Sequence, residues 1–468
     1  MNLFTKIRSL IFGPGQKSRY VRNTGWLLGA RGIQMLFAFI IGAMVARYLG
    51  PEKYGIYNYV ISFVGVFSAL SSLGIGTIMV RDMLHKEASE DVLLGTSLLL
   101  RLGGSIVATA CILITGMFTE DQQAVRFFLF LASLQPIVRS IEVIAFYFQA
   151  QVRSKFTVIA QLISLGIISL LKIIFITQHF SLVWFMYLLA LDSAITGISM
   201  IYFYRKLGKR IFTWYFDKGI AKGLLKESWP LIFSGMFTTI YLKIDQVILG
   251  NLMDDASVGL YAAAVKISEA WITIPWIISG SMYPALVNSY KSNKEIFRIR
   301  ISQLYVILIG IALLVIIPIA LFAPFIIRFI FTDVYADSAN VLRVHICSSL
   351  FIFLGSLSNR WLILEKTQKF WMLNSALGAV LNILLNFIMI PSMGIMGAAY
   401  ATLISYALAY HFAYYLNPKT RMIFYEQNRS FLRTVFIFPA LSILRKPTAA
   451  SEQITETEDM PDEDGSVL

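Results

Sequence analysis

Long apolar runs alternate with short polar connections along the chain, and twelve of the runs are long enough to be drawn as membrane crossings. A helix needs about 20 apolar residues to cross the hydrocarbon core of a bilayer. Because every backbone polar group must be paired inside the bilayer, and because no period-two barrel pattern appears, the runs are predicted to be helices. The predicted spans lie at about 24–48, 55–80, 92–118, 126–150, 156–176, 181–203, 229–250, 258–285, 301–327, 341–364, 369–390 and 394–416.

The composition of the chain is that of a membrane protein. Of its 468 residues, 57% are apolar and 14% are charged, whereas a soluble domain has about 25% charged residues. The predicted fold class is therefore all-α, a polytopic membrane protein with about twelve transmembrane helices. The net charge of +13 does not by itself indicate nucleic acid, since basic loops also orient membrane proteins.

Lysine and arginine residues are concentrated in every second connection between the predicted helices. With the N-terminus placed inside, the inner segments contain 28 of the 40 basic residues, and the outer loops contain two, Lys53 and Arg328. Short loops rich in basic residues stay on the cytoplasmic side. The pattern predicts a multi-pass protein of the cell membrane (inner or plasma membrane) with both termini in the cytoplasm. The inner segments are 1–23, 81–91, 151–155, 204–228, 286–300, 365–369 and 417–468, and the outer loops are 49–54, 119–125, 177–180, 251–257, 328–340 and 391–393.

A long basic segment, 204–228, divides the spans into two sets of six. Its mixture of basic and aromatic residues is typical of a linker at a lipid surface. A short repeated pattern, "YGIYNYV" from Tyr54 and "VGLYAAAV" from Val258, opens the second span of each set. Two pseudo-symmetric six-helix lobes around a central cavity are a common transporter architecture. The predicted domains are a basic interfacial N-terminus (1–23), an N-lobe (24–203), the linker (204–228), a C-lobe (229–416) and a cytoplasmic tail (417–468) with an acidic, disordered end.

Apart from Arg47 and Arg126 at the very ends of their spans, eight basic positions inside the predicted spans stand against four acidic ones. Ionisable groups are costly in a bilayer and by default indicate function where they face a cavity. A cavity built from these residues would be net positive and would suit a phosphorylated, strongly anionic cargo. The candidate substrate-binding residues are Arg31, Arg101, Arg139, Lys243 and Lys266, and the candidates for charge balance or ion coupling are Glu142, Asp192, Asp245 and Glu269.

Purely structural roles stay open for several of the charged residues. Arg31 lies about 10 Å from the start of its span, at 1.5 Å per residue, and could reach the inner headgroups by snorkelling. Its face of the helix also carries Gln34 and Ala38, which favours a cavity. Snorkelling is the favoured role of three further residues near helix ends, Lys172, Arg343 and Arg360.

Spacing along the helices suggests how some charges pair. Arg139 with Glu142, and Lys266 with Glu269, are spaced i,i+3 and could neutralise one another. Lys243 and Lys266 lie at nearly equal depth on antiparallel neighbours, where two ammonium groups repel unless a carboxylate or an anionic ligand lies between them. These two lysines are therefore the best candidate site. Helix packing, rather than sugar binding, is favoured for a polar row on span 11, Asn374, Gly378, Asn382 and Asn386.

The chain lacks the motifs of an enzyme or an ATPase. "FGPGQKS" from Phe12 resembles a phosphate loop, but that motif needs glycine directly before lysine. The two cysteines lie in separate apolar runs, and the four histidines have no metal-ligand spacing. No nucleophile and base occur in a recognisable arrangement. The prediction is a protein that is not an enzyme, with no catalytic residue, no metal site and no cofactor.

Two stretches resemble a known family. "VARYLGPEKYGIYNYVISFVGVFSALSSLGIGTIMVRD" (Val45 to Asp82) resembles the opening of bacterial and archaeal oligosaccharide-lipid flippases, the O-antigen flippase type of polysaccharide biosynthesis protein. "PSMGIMGAAYATLIS" (Pro391 to Ser405) resembles a hairpin found across the wider multidrug, oligosaccharidyl-lipid and polysaccharide exporter superfamily. The resemblance implies two six-helix lobes around a cationic cavity. It also implies a polyprenyl-pyrophosphate-linked sugar as cargo, moved from the inner to the outer leaflet for surface polysaccharide biosynthesis. The expected mechanism is alternating access by rocking of spans 1–6 against spans 7–12. The expected partners are this substrate, membrane lipids, and a glycan polymerase and glycosyltransferases of the same biosynthesis, with no nucleic acid.

Three other functions are alternatives. A cation-coupled multidrug exporter of the same superfamily would favour an acidic cavity, and span 1 contains no Asp or Glu. A peptidoglycan-precursor flippase typically has fourteen spans, and the apolar stretch 434–444 is too short to supply two more. A membrane-embedded polysaccharide polymerase or ligase would need a large outer loop with catalytic residues, which the predicted outer loops do not offer.

Overall fold

The computed structural model describes the backbone of residues 17–85, 88–119 and 122–437, and the side chains within these ranges from residue 32 onward except those of residues 284, 436 and 437. The side chain of Arg31, a predicted binding residue, lies outside the described residues, as do the first part of the predicted N-terminal segment and the acidic end of the predicted tail. The described chain is helical throughout, without a strand. The predicted all-α class is confirmed.

The helices follow the apolar runs closely. In chain order they are α1 Lys17–Val66, α2 Ser68–Ser72, α3 Gly76–His85, α4 Glu90–Thr119, α5 Gln123–Arg139, α6 Ile144–Ala150, α7 Lys155–Thr177, α8 Leu182–Lys206, α9 Lys218–Leu252, α10 Asp255–Glu269, α11 Thr273–Ser292, α12 Lys294–Leu321, α13 Ala323–Phe331, α14 Ser338–His345, α15 Ser348–Leu364, α16 Lys369–Met393, α17 Ile395–Ala407, α18 Ala413–Leu416 and α19 Arg421–Ile437. Short 3₁₀ segments lie at Ser140–Val143, Ile211–Thr213 and Asp333–Tyr335, and a π-helical turn at Leu408–Phe412.

Among the described residues, nine helical segments are long and apolar enough to cross a membrane, and a bent pair, Asp255–Tyr283 with Ala285–Ser292, brings the number to ten. The other two predicted spans are present as shorter pieces. The second predicted span begins inside α1 after Gly50 and continues through α2 and α3. The last is α17 and α18 joined by the π-helical turn. The helices thus cover all twelve predicted runs.

The turn between the first two predicted spans lies inside α1. Gly50 has φ 70° and ψ 171°, and Pro51 follows it directly. A positive φ is accessible to glycine without steric cost, and proline lacks the N–H that would continue the helical hydrogen bonding. The sequence Gly-Pro therefore ends one helical segment and starts the next with almost no loop between them.

The two halves of the chain touch at the end of the bundle where the predicted outer loops lie. A Cβ built on Gly55 would overlap the backbone carbonyl of Asp255, and one built on Gly259 would overlap the carbonyl of Pro51. Glycine at both positions lets α1 and α10 approach through their backbones, as small residues do between membrane helices. The Tyr335 hydroxyl adds a 2.7 Å hydrogen bond to the Ala46 carbonyl. This end of the bundle is closed.

Hydrogen bonds from Arg47 reinforce the closed end. Its Nε donates to the carbonyl of Ile330 at 2.7 Å, and its Nη2 donates to the carbonyl of Phe329. These carbonyls belong to the C-terminal turn of α13, so the guanidinium satisfies backbone groups that have no partner within the helix.

At the opposite end the halves stay joined on one side only. The Arg81 guanidinium lies 2.8 Å from the Glu227 carboxylate and so links α3 to α9. By contrast, α11 packs chiefly on α12 and α15, within its own half. Among the described residues, the α11 side of this end is therefore joined less tightly than the outer-loop end, and the space on this side is called the cleft below.

One helix was not predicted. α19 falls in the segment expected to be a cytoplasmic tail, yet it packs on α12 and carries four buried polar side chains, Glu426, Gln427, Ser430 and Thr434. The Gln427 amide donates to the Ser358 hydroxyl at 2.9 Å and to the Tyr410 carbonyl at 3.1 Å. The early part of the predicted tail is thus an integral part of the C-terminal helix packing.

Replacing Gly55 should open the closed end. In Gly55→Ala the added methyl meets a backbone carbonyl, which cannot move aside as a side chain would, and overpacking of this kind costs about 1–3 kcal/mol. We expect a cysteine placed at Asn58, in a variant without Cys111 and Cys347, to react about tenfold faster with a membrane-impermeant thiol reagent added from the outer-loop side.

The matched control is Gly103→Ala, since a Cβ on Gly103 meets no atom within 4 Å. It should leave the labelling rate unchanged. Equal rates in Gly55→Ala and its parent would contradict the assignment of this contact as the closed end.

Candidate functional site

Two neighbouring cavities lie in the N-terminal half, and Lys266 of the C-terminal half completes the lining of the first. The first has a volume of about 300 Å³, and its polar lining includes Asn58, Ser169, Lys172, Asp192 and Lys266. The second has a volume of about 260 Å³, and its polar lining includes Gln34, Gln135, Arg139, Glu142, Gln161 and Thr196. Ala38, Leu165 and Asp192 line both. The cavities are therefore neighbours, and most of their wall comes from α1, α5, α7 and α8.

Lys266 is contributed to the first cavity by the opposite half of the chain. The α10 helix that carries it starts after Asp254, whose carboxylate caps the helix by accepting from the Ser257 N–H at 2.8 Å. Gly259 and Lys266 are seven residues apart, hence on one face of α10. Because Gly259 touches Pro51, Lys266 points at the N-terminal half, where its ammonium group occupies the space that a Cβ on Gly42 would take.

A second lysine, Lys172 of α7, lines the same cavity. Both lysines are cations, and like charges in one cavity repel. Within the described part of the chain, neither ammonium group has a carboxylate within 4.0 Å or a hydrogen-bond acceptor. The sequence analysis favoured snorkelling for Lys172 because it lies near a helix end. The structure instead places it at the wall of the cavity.

The side chain of Asp192 lines both cavities. It lies on α8 and accepts a 2.5 Å hydrogen bond from the Ser164 hydroxyl of α7. Ser164 precedes Lys172 by eight residues, which is about 12 Å along the helix axis. The carboxylate therefore lowers the net charge of the cleft without forming an ion pair with either lysine.

Arg139 and Glu142 lie together in the second cavity. The Arg139 Nε donates to the Glu142 carboxylate at 3.1 Å, and the arginine side chain is 57% exposed. The pair sits where helical geometry changes, because α5, with Pro136 inside it, ends at Arg139 and a 3₁₀ segment follows. One of the pairings that the i,i+3 spacing suggested is thus present, and the exposed guanidinium keeps donors that face the cavity.

Arg101, another predicted binding residue, does not line either cavity. Its side chain on α4 is 7% exposed, and the guanidinium lies 5.9 Å from the centre of the Phe146 ring. Its Nε has no hydrogen-bond partner in the described structure. The residue is therefore a buried cation behind the wall of the second cavity, where a cation–π contact is its visible interaction.

Lys243 and Glu269 form a pair across two helices. Their side-chain charges are 3.5 Å apart, and both side chains are partly exposed. The i,i+3 spacing suggested Glu269 as a partner of Lys266, and equal depth suggested a cluster of Lys243 with Lys266. In the structure Glu269 pairs with Lys243, and Lys266 lies against Gly42 in the cavity that Lys172 also lines.

Asp245 lies outside both cavities in a buried polar network. It is 4% exposed and accepts hydrogen bonds from the Tyr261 hydroxyl at 2.7 Å, from the Asn386 amide at 2.8 Å and from the Thr402 hydroxyl. Asn386 in turn lies 3.2 Å from the Asn382 side-chain oxygen. The network joins α9, α10, α16 and α17, in agreement with the packing role predicted for the asparagines of span 11.

This network is rich in oxygen atoms around a single carboxylate. No basic group pairs with Asp245 among the described residues, and a buried carboxylate is stabilised by hydrogen bonds, by a proton or by a bound cation. Nearby, His345 is hydrogen bonded to the Ser268 hydroxyl at 2.6 Å, and its ring lies 5.9 Å from that of Tyr261. Across the described residues, no group of three or more His, Cys, Asp or Glu side chains could hold a metal ion.

Comparison with family profiles gives two matches. The profile described as polysaccharide biosynthesis protein matches residues 20–290, more than half of the chain. The profile described as MatE matches residues 230–388. The comparison with curated proteins gave no match.

Solved structures of membrane transporters share the fold. A multidrug resistance MATE family transporter of the MOP superfamily, in an inward-facing conformation, is 16% identical over 88% of this chain and 96% of that chain, with a TM-score of 0.65. The lipid II flippase MurJ, in an inward closed conformation, is 14% identical over 91% and 95%, with a TM-score of 0.66. An outward-facing MATE family transporter of the same superfamily is 16% identical over 89% and 96%, with a TM-score of 0.56. The predicted two-lobe transporter fold is confirmed.

Proposed function

Because the chain belongs to the polysaccharide biosynthesis protein family, whose relatives are membrane transporters, we propose that it is a flippase for a polyprenyl-pyrophosphate-linked oligosaccharide, such as an O-antigen unit. The cargo would move from the cytoplasmic to the outer leaflet for surface polysaccharide biosynthesis. The observation that carries this proposal is the cavity in which Lys172 and Lys266, from opposite halves of the chain, have no carboxylate partner.

The two lysines suit a pyrophosphate group. An ammonium group has three donors and no acceptor, and a phosphate oxygen is a strong acceptor, so their hydrogen bonds are charge-assisted. A diphosphate between Lys172 and Lys266 would also remove the repulsion between them. Asp192 reduces the net positive charge around the site. Because the anionic cargo is then bound less tightly, it can be released on the other side of the membrane.

The second cavity suits the sugars. Its amide and hydroxyl side chains, Gln34, Gln135, Gln161 and Thr196, can donate to and accept from sugar hydroxyls. The exposed guanidinium of Arg139 can bind the carboxylate of an acidic sugar through two parallel hydrogen bonds. In the absence of cargo it pairs with Glu142. The polyprenyl chain would remain in the lipid beside the open cleft.

The arrangement of the two halves supports alternating access. The helix α10 carries both Lys266, which lies against the N-terminal half, and Gly259, which forms the closed end. A rocking motion that opens this end must move α10 relative to α1. Such a motion withdraws Lys266 from Lys172 and splits the proposed pyrophosphate site, which favours release on the outer side.

We assign ion coupling to Asp245. It is a buried carboxylate in a network of four helices, so gain or loss of a proton or Na⁺ changes how strongly those helices hold together. The network is separate from the cargo cavities, and cation and cargo would therefore not compete for one site.

A multidrug exporter is the second candidate function, favoured by the MatE match over residues 230–388. A cationic drug needs an acidic site. The linked cavities contain three cations, Lys172, Lys266 and Arg139, against two carboxylates, Asp192 and Glu142. This balance favours an anionic cargo.

The pyrophosphate chemistry also fits a peptidoglycan precursor. The variants below distinguish the two cargoes, because loss of surface polysaccharide indicates an oligosaccharide cargo and a defect in cell-wall precursor indicates a peptidoglycan cargo. A polymerase or ligase has less support, since no nucleophile and base were recognised in the sequence.

Removal of the two lysines should reduce transport stepwise. A hydrogen bond to a charged group contributes about 1.5–3 kcal/mol, so Lys172→Gln and Lys266→Gln should each lower flipping about tenfold and the double variant further. The measurement is complementation of a strain that lacks this protein, scored by surface polysaccharide and by cell-wall precursor at equal protein level.

Two controls isolate the position of the charge. Lys291→Gln, on the exposed surface of α11, should be silent. Gly42→Ala moves the Lys266 ammonium group without removing it and should impair transport, whereas Gly32→Ala in the same helix, with no atom within 4 Å of the added Cβ, should not. Normal polysaccharide in the lysine double variant, or drug sensitivity as its only defect, would overturn the proposal.

Replacement of Asp245 should uncouple transport from its driving ion. In the Asp245→Asn variant, the asparagine has nearly the same shape as aspartate and keeps one acceptor oxygen. It carries no negative charge, so it cannot take up a proton and attracts Na⁺ only weakly. We expect normal protein level and cargo binding, but no stimulation of flipping in proteoliposomes by a proton or a Na⁺ gradient.

Asp333→Asn is the control, because this carboxylate lies in a loop and pairs with Arg328 at 3.2 Å on the protein surface. It should respond to the gradients as the wild type does. A gradient response retained by Asp245→Asn would remove Asp245 from the coupling mechanism.

A further inference from the structure

A third cavity lies away from the cargo cleft, between α11 and α12. Its volume is about 540 Å³, larger than either cavity of the cleft. Hydrophobic side chains form much of its wall, among them Met282, Leu286, Leu304 and Ile307. Ile307 is 51% exposed, so the cavity is a groove open to the surroundings of the bundle. An apolar groove at this place faces lipid.

One end of the groove is polar. Asn288, Ser289 and Ser292 lie there together with Arg300. The Arg300 Nη1 donates to the Ala285 carbonyl at 3.2 Å. A guanidinium has five N–H donors, and in the described residues no acceptor is recorded for the others of Arg300. Free guanidinium donors beside hydroxyl and amide groups form a site for an anionic oxygen.

We propose that this groove binds an anionic phospholipid, with its phosphate at Arg300 and an acyl chain along the apolar wall. The predicted spans place residues 286–300 at the inner membrane surface and start the apolar part of α12 at residue 301, so the polar end lies at headgroup level. From Arg300 to Ile307 the groove follows α12 over a rise of about 10 Å. One leaflet of the hydrocarbon core is about 15 Å thick, so the apolar wall covers the first two thirds of an acyl chain that starts at Arg300.

The charge around the groove favours an anionic headgroup over a zwitterionic one. Arg300 lines the groove itself. Lys291, Lys294 and Arg298 lie outside its lining in the same segment, against one acidic residue, Glu295, and add a general positive charge to this part of the membrane surface. Basic pockets between helices on the cytoplasmic side attract anionic headgroups. This site does not depend on the proposed cargo, and its role would be to fix the junction of α11 and α12 in the lobe that rocks.

Lipid selectivity of the purified full-length protein tests the proposal. Native mass spectrometry would count the phosphatidylglycerol and phosphatidylethanolamine molecules, with identical acyl chains, that remain bound after detergent extraction. We expect about five or more phosphatidylglycerol molecules to remain bound for each phosphatidylethanolamine molecule, because one basic residue near an anionic headgroup contributes about 1 kcal/mol. Arg300→Gln should abolish this preference.

Two further variants keep the test decisive. Arg298→Gln changes a cation two residues away that lines a different cavity of the same helix, and it should retain the preference. Leu304→Trp fills the apolar part and should lower binding of both lipids. The proposal fails if Arg300→Gln keeps the preference or if Arg298→Gln loses it equally. It also fails if both lipids bind alike to the wild type, or if polyprenyl phosphate displaces phosphatidylglycerol, which would make the groove a cargo site.

Discussion

The backbone contact of α1 with α10 at Gly55 and Gly259 determines the arrangement of everything else in the cleft. Two glycines allow the helices to approach until carbonyl groups of one lie against the Cα atoms of the other. Any side chain at either position would hold the halves apart. Because the contact lies at one end of the bundle, the halves diverge towards the other end, and the space between them becomes the cleft.

The same contact places the charges. Lys266 follows Gly259 by two helical turns on the same face of α10 and is therefore carried into the N-terminal half, against Gly42. There it meets the cavity wall that bears Lys172. Two cations without a carboxylate between them are unfavourable in a protein at rest, and this cost is removed when an anionic ligand binds. The closed end and the proposed pyrophosphate site are thus two consequences of one helix contact.

The fold could be predicted from the sequence much further than the site could. Apolar run length and the distribution of Lys and Arg depend on the bilayer, which acts on every span in the same way, and the twelve runs are all helical in the structure. Charge pairing depends on the direction in which each side chain leaves its helix. Lys266 lies against Gly42 and Lys243 pairs with Glu269, so depth along the helices did not predict the partner of either lysine. The position of Lys172 at a cavity was obscured because a helix end also permits snorkelling. The docking of α19 depends on tertiary hydrogen bonds, such as those of Gln427, that have no local sequence signal.

The most direct test of the central claim is a cryo-EM structure of the purified protein with a bound polyprenyl pyrophosphate. The diphosphate should lie between the Nζ atoms of Lys172 and Lys266, about 3 Å from each, with the polyprenyl chain leaving towards the lipid through the open end of the cleft. A diphosphate bound elsewhere, with both lysines unliganded, would contradict the account.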